Sequence, residues 1–196
     1  DHYGSEAALR EAFVSFANRL PFWGAVVLCL DHPGVQAILP SLTRRVITYG
    51  FSSQAELVAH DVEPSGWGVR FQVSRRGEKL GEVQLALAGR HNVANALAAL
   101  GVALELDVPF SVAAEALGAF GGIERRFQLK GEAAGVRVVD DYGHHPTEIA
   151  ATLQAARQAW PGRRLVVAFQ PHRYTRTHEL LDDFAEVHSE ADRLID

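Results

Sequence analysis

Two stretches of the chain concentrate side chains that can move protons or hold anions. The first is Asp140-Asp141-Tyr142-Gly143-His144-His145-Pro146-Thr147-Glu148. The second is Phe169-Gln170-Pro171-His172-Arg173-Tyr174-Thr175-Arg176-Thr177. Ordinary turns use Gly, Asn, Asp and Pro and have no need of clustered imidazole, phenol and guanidinium. The forked donors of arginine suit carboxylate and phosphate groups, and histidine and tyrosine can orient a nucleophile or share its proton. Metal binding is the rival use of His144, His145 and His172. Neighbouring histidines point apart on most backbones, however, and neither a His-Glu-x-x-His nor a Cys-rich spacing accompanies them. Pro146-Thr147-Glu148 reads as the start of a helix, with Glu148 favourable near its positive end.

Two further constellations carry weaker signals. In Gly89-x-His91-Asn92-x-x-Asn95 the glycine permits a close approach, and the two asparagines fall on one helix face. Asparagine offers both donor and acceptor, which matches an adenine edge, yet helix capping explains the same residues equally well. Arg125-Arg126-Phe127-Gln128 is either surface charge or a cationic reach toward a nucleotide.

The elements that must position these groups follow from patterning. Ser5 predicts an amphipathic helix through Leu20, stopped by Pro21. Gly24–Leu30 predicts a strand buried on both faces, with Cys29 as a core thiol. A short helix is predicted over Pro33–Leu39 and a strand over Val46–Phe51. From Glu56 to Leu87 the pattern alternates (Val69, Phe71, Val73 against Arg70, Gln72, Ser74) and turns at Arg76-Gly77, which predicts half-exposed antiparallel hairpins. Helices are predicted from Gly89 to Leu106 and from Ser111 to Ala119. After Gly121-Gly122 a new sequence begins: strand Val136–Asp140, helix Pro146–Trp160, buried strand Arg164–Phe169, helix Thr177–Glu190, strand Arg193–Ile195. Alternation of that kind predicts a parallel, doubly wound sheet, whose ligands bind beyond the carboxyl ends of its strands. The expected division is residues 1–122 and 123–196.

Composition narrows the classes. The 196 residues are 47% hydrophobic, enough for one large or two small cores. A net charge of −5 gives no electrostatic case for nucleic acid, and no apolar run reaches the length a membrane helix requires. The single cysteine excludes an internal disulfide and fits a reducing compartment. The chain opens on Asp1, without a visible leader, and ends on a strand-like Leu194-Ile195-Asp196, so it is expected to be cut at both ends.

Taken in order, Gly89-Arg90-His91-Asn92, Phe120-Gly121-Gly122 with Arg125-Arg126-Phe127-Gln128, and the two polar stretches resemble the Mur ligases, over essentially the whole chain. The resemblance implies an α/β fold: the later part of a central ATPase domain with a mixed sheet, followed by the start of a Rossmann-like parallel-sheet C-terminal domain. It implies a cytoplasmic, ATP-dependent ligase of cell-wall synthesis that joins L-alanine to the carboxylate of UDP-N-acetylmuramate through an acyl-phosphate. It places His91, Asn92 and Asn95 around adenine, and Arg126 and Asp141 at the ribose and phosphates. Tyr142, His144, His172, Arg173 and Arg176 then line the pocket for the amino acid and the muramoyl carboxylate, with His144 or His172 accepting the amine's proton. The family's Gly-x-x-Gly-Lys-[Ser/Thr] loop is not in these residues. It and the magnesium ligands are expected before Asp1, with Asp1 at an acidic family position and His2 outside the site. The piece alone is then expected to be inactive. Three other readings stay open: a tripeptide-adding muramate ligase, a non-catalytic nucleotide-binding module and, more distantly, a metal-dependent hydrolase.

Overall fold

The computed structural model describes residues 3–195, so Asp1, His2 and Asp196 lie outside the described residues. The chain falls into two compact units. The first holds Asp1–Val62, Phe71–Val83 and Val93–Leu117; the second holds Glu63–Arg70, Gln84–Asn92 and Gly118–Asp196.

The first part of the chain opens with helix α1 (Glu6–Asn18), whose N-cap Ser5 accepts the Ala8 amide as the sequence predicts. Strand β1 (Ala25–Cys29) leads to helix α2 (Pro33–Ile38), a single 3-10 turn at Leu39–Ser41, and strand β2 (Arg45–Gly50). Three longer strands follow: β3 (Leu57–Ser65), β4 (Gly68–Arg75) and β5 (Glu78–Leu85). All five form one sheet in chain order. β1 and β2 pair parallel with Val27 opposite Ile47, and β2 pairs parallel with β3. β3 to β5 are joined by two-residue turns, which only antiparallel neighbours allow. At the second turn both Arg76 and Gly77 have positive φ, the twist that suits a two-residue hairpin.

Alternation decides which face is buried. Val69, Phe71 and Val73 on β4 are at most 6% exposed, as are Leu57, Ala59, Val83 and Leu85. Helix α3 (Arg90–Glu105) contributes Val93, Ala96, Leu97 and Leu100, the 3.6-residue stripe that faces a core. A Cβ on Gly101 of this helix would lie 3.0 Å from Val27 and 3.8 Å from Ile47, which puts α3 flat on β1 and β2. Each fully buried Phe71, Leu57, Leu97 and Leu100 stabilises the fold by roughly 1.5–3 kcal/mol. Helix α4 (Phe110–Ala119) completes this part.

In the second unit, strands β6 (Gln128–Ala133) and β7 (Val136–Asp140) form an antiparallel ribbon. Helix α5 (Pro146–Ala159), strand β8 (Val166–Ala168), helices α6 (Tyr174–Glu179) and α7 (Leu181–His188), and strand β9 (Arg193–Ile195) follow. β8 and β9 pair parallel, Val167 opposite Leu194. Ile149 and Leu153 of α5 and Phe184 and Val187 of α7 make the buried core, flanked by Leu165, Val167, Phe169 and Leu180. A groove of about 730 Å3 runs between β7 and β8, with Ile149, Leu153 and Trp160 among its lining. Trp67, at the β3–β4 turn, meets Trp160 edge-on at 5.8 Å; Phe127 stacks on Trp160, and the Arg137 guanidinium lies 4.6 Å from the Trp67 ring.

The α/β class holds, and four expectations are corrected. Among the described residues, parallel pairing in the second unit joins only β8 and β9; β7 pairs instead with β6, a strand the sequence did not predict. β1 and Cys29 are half-buried, because β1 stands at the end of its sheet with one hydrogen-bonded neighbour among the described strands. β8 is shorter and more exposed than expected for the same reason, with Val166 48% exposed. The helix expected over Thr177–Glu190 is two helices that meet at Leu180, whose φ of −115° and ψ of 25° leave the helical range while its side chain joins the core.

Candidate functional site

The loop that follows β7 is held by its own second residue. Asp141 accepts the Gly143 amide through one carboxylate oxygen (2.7 Å) and the Phe127 amide through the other (2.8 Å). The Tyr142 amide donates to the Arg125 carbonyl at 2.7 Å. The Phe127 and Tyr142 bonds tie the loop after β7 to the segment before β6, and the Gly143 bond closes the loop on itself. A Cβ on Gly143 would fall 2.8 Å from the Asp141 oxygen that its own amide meets, so a larger residue there displaces the carboxylate that holds the loop.

Arg126 sits between two residues in the left-handed region, Arg125 (φ 59°) and Phe127 (φ 47°). Non-glycine residues reach that region at a cost of about 1–2 kcal/mol, and such strain gathers at functional sites. Here Asp141 holds Phe127, and the Gln128 side chain accepts the Arg125 amide. The strained pair turns both guanidiniums toward one ring: Arg125 lies 4.8 Å and Arg126 5.9 Å from the Tyr142 centroid. Arg125 also faces Asp140, and Arg126 faces Glu148, each at 3.7 Å.

The adjacent histidines do different work. His145 caps α5, its ring Nδ1 accepting the Thr147 amide at 3.3 Å, just as His32 caps α2 through the Gly34 amide ahead of Pro33. His144 sits edge-on to Tyr142, with Nδ1 3.0 Å from the Tyr142 carbonyl and 3.5 Å from Glu148 Oε2. Two acceptors around Nδ1 favour the tautomer with its proton there, which leaves the Nε2 lone pair as proton acceptor. Burial alone would raise the Glu148 carboxyl. The His144 amide, the charges of His144 and Arg126, and the His145 amide outweigh it and hold the carboxyl below its usual range.

At the start of α3, burial pushes His91 below the ordinary imidazole value, and the nearby negative charge of Asp141 opposes that only in part. The Asn92 amide nitrogen donates to the Ala88 carbonyl at 2.7 Å, so this asparagine secures the helix start whatever else it does. Asn95 follows three residues later on the same face and is exposed.

The structure therefore brings together Arg126, Asp141, Tyr142 and His144, with His91 within electrostatic reach of Asp141. The 169–177 stretch stands apart in its contacts. His172 and Arg173 are exposed, Arg173 has φ 69°, and no hydrogen bond or ion pair among the described residues ties these side chains to Tyr142 or His144. One guanidinium nitrogen of Arg176 is shielded from solvent with no acceptor beside it. Two residues were missed as site members by sequence reasoning. Arg125 was hidden by its adjacency to Arg126. Glu148 was hidden by its helix-start role, although its four-residue spacing from His144 was a usable signal. Among the described residues no group of three or more His, Cys, Asp or Glu could hold a metal ion.

The Mur ligase middle-domain model matches residues 1–103, and the model of the Mur ligase glutamate ligase domain matches residues 125–195. The chain belongs to the Mur ligase family. Among curated Mur ligases it is 53% identical over 196 residues to the UDP-N-acetylmuramate–L-alanine ligase of Pelobacter propionicus, covering all of this chain and 43% of that one. To the enzyme of the same name from Myxococcus xanthus it is 52% identical, covering 99% of this chain and 41% of that one. The chain thus spans less than half the length of these relatives. The solved UDP-N-acetylmuramate–alanine ligase of Thermotoga maritima superposes with a TM-score of 0.77 at 26% identity, covering 98% of this chain and 41% of that one. A murein peptide ligase of Psychrobacter arcticus gives 0.69 at 27% identity, with 96% and 40% covered. The Mur ligase family uses ATP and magnesium.

Proposed function

We propose that this Mur ligase joins L-alanine to the carboxylate of UDP-N-acetylmuramate at the expense of ATP, with the chain divided functionally at residues 122 and 123. The observation that carries this reading is the loop Asp140–Glu148. It holds an imidazole whose Nδ1 lies 3.0 Å from the Tyr142 carbonyl, beside a phenol ring that two guanidiniums face, in a chain 53% identical to ligases of that name.

The residues at the start of α3 and around Arg126 suit ATP. Asn92 keeps its amide oxygen as acceptor while its nitrogen is engaged, Asn95 and His91 lie close in sequence, and Arg126 offers a cation for phosphate. Asp141 uses one lone pair on each oxygen for backbone amides and keeps capacity for a ribose hydroxyl. ATP, when bound, supplies the phosphoryl group that makes the carboxylate an acyl-phosphate. Arg173 and Arg176 are suited to carboxylates, the latter through its shielded nitrogen. His144 takes the proton of the attacking amine on Nε2, Tyr142 packs against that ring, and His172 is the competing acceptor. Holding amine and acyl-phosphate together accounts for much of the rate, about 7–11 kcal/mol in favourable cases.

The test is amide formation by the full-length protein with UDP-N-acetylmuramate, ATP and either L-alanine or an L-alanyl tripeptide. L-Alanine is expected to be the preferred amine. A preference for the tripeptide assigns the protein to wall recycling. ATP binding without ligation of either amine leaves a non-catalytic nucleotide module.

A further inference from the structure

We propose that Glu148 is a positioning residue for the amine-activating histidine, acting through its negative charge as well as through the helix cap. The proposal rests on His144 being the proton acceptor described above.

Three observations support it. The backbone that carries the carboxylate is fixed, because Glu148 stands on the first turn of α5 next to Ile149, which with Leu153 is buried in the unit's core. Its Oε2 accepts the His144 amide at 3.0 Å and lies 3.5 Å from His144 Nδ1, so one oxygen addresses both the backbone and the ring of the same residue. Its other oxygen faces Arg126 at 3.7 Å, which links the imidazole to the cation on the nucleotide side.

The chemistry follows from which ring nitrogen the carboxylate approaches. With Nδ1 between the Tyr142 carbonyl and Glu148, the Nδ1–H form is favoured, which leaves the lone pair on Nε2. When Nε2 takes the amine's proton, the ring becomes an imidazolium. The N–H bond to the ring forms as the ammonium N–H bond breaks, and the amine keeps the freed electron pair. The positive charge then sits beside a carboxylate whose surroundings favour its ionised form. The other charged groups around the ring are Arg125 and Arg126 over Tyr142, Asp140 opposite Arg125, and Asp141 with both oxygens on backbone amides. Asp141 thus has both oxygens on the Phe127 and Gly143 amides, whereas Glu148 is the carboxylate that lies 3.5 Å from the ring's Nδ1.

A cap alone is served equally well by glutamine, whose amide oxygen also accepts the His144 N–H. Charge stabilisation is not. In the full-length protein, Glu148→Gln is expected to lower kcat about tenfold, less than the roughly 100- to 10,000-fold a general base itself contributes, with KM for ATP within about twofold. Glu148→Ala is expected to lose thermal stability as well, and the double variant with His144→Asn is expected to be no slower than His144→Asn alone. A Glu148→Gln enzyme at the parent rate, while His144→Asn is impaired, overturns the proposal and leaves only the cap. Losses that multiply in the double variant overturn it too, because Glu148 then acts apart from His144. A His144→Asn enzyme at the parent rate sinks the underlying assignment of His144, and the proposal with it.

Discussion

Single titratable side chains already set a direction for the protein's response to acid. Burial tends to raise the Glu56 carboxyl, but hydrogen bonds and charge from Arg75 and Arg76 bring it below its usual value of 4.5. Glu148 is likewise lowered. Carboxyls depressed by folding stabilise the native state above the unfolded value, and that stabilisation disappears as pH falls through the folded one. His91 is held below 6.5 by burial, so the unfolded chain binds its proton more readily and native stability begins to fall as pH drops past 6.5. Urea melts are therefore expected to give falling stability from pH 7.5 to 5.5 and a steeper fall below 4.5; a flat profile over both windows contradicts these assignments. Asp141 gives a second expectation. Replacing it with alanine removes the acceptor of two backbone amides, at a cost of about 1–3 kcal/mol. A loss under about 0.5 kcal/mol in the same melts means the loop is held by something else. How much of this was legible depended on chemistry against geometry. Tyr142, His144 and Arg126 stood out by residue type, whereas Arg125 joined them only through where the backbone turned it and Glu148 left no sign beyond its four-residue spacing from His144.

For helices and strands, the readable features were those with a strict period. Val69, Phe71 and Val73 alternate because β4 has one buried face, and Leu97 and Leu100 share the stripe of α3. Leu97→Ala is expected to cost about 2–5 kcal/mol, while Leu181→Ala, 60% exposed, stays within about 0.5 kcal/mol. Gly68→Ala is expected to be severe for a different reason: an added Cβ at the start of β4 would overlap the Leu85 carbonyl oxygen across the sheet. Thermal melts of the three variants order them, and a mild Gly68→Ala refutes the close β4–β5 approach. What stayed hidden had no period to read. β6 carries a register shift between Leu129 and Gly131 and mostly exposed residues, so neither alternation nor burial marked it. The break at Leu180 has no proline or glycine to announce it. Pairing partners are non-local, which is why the parallel arrangement was overextended to β7.

Over the molecule as a whole, nucleotide binding is expected to stabilise the native state by mass action, about 2.7 kcal/mol at a ligand concentration a hundredfold above Kd. Asn95→Ala is the informative variant. Asn95 is exposed on α3, so its loss is expected to leave unliganded stability within about 0.5 kcal/mol while reducing the thermal shift with ATP in the full-length protein. An unchanged shift removes Asn95 from the nucleotide site. The contact of Trp67 with Trp160 gives such measurements an internal reporter. Two indoles 5.8 Å apart and near-perpendicular couple their excited states, and the Arg137 cation lies close to both. Near-ultraviolet circular dichroism is therefore expected to carry a contribution from this pair, whereas Trp23, 72% exposed, is expected to contribute mainly red-shifted emission. The hairpin tip and the end of α5 thus share a label-free optical signal, one that Trp67→Phe is expected to remove and Trp23→Phe to leave standing.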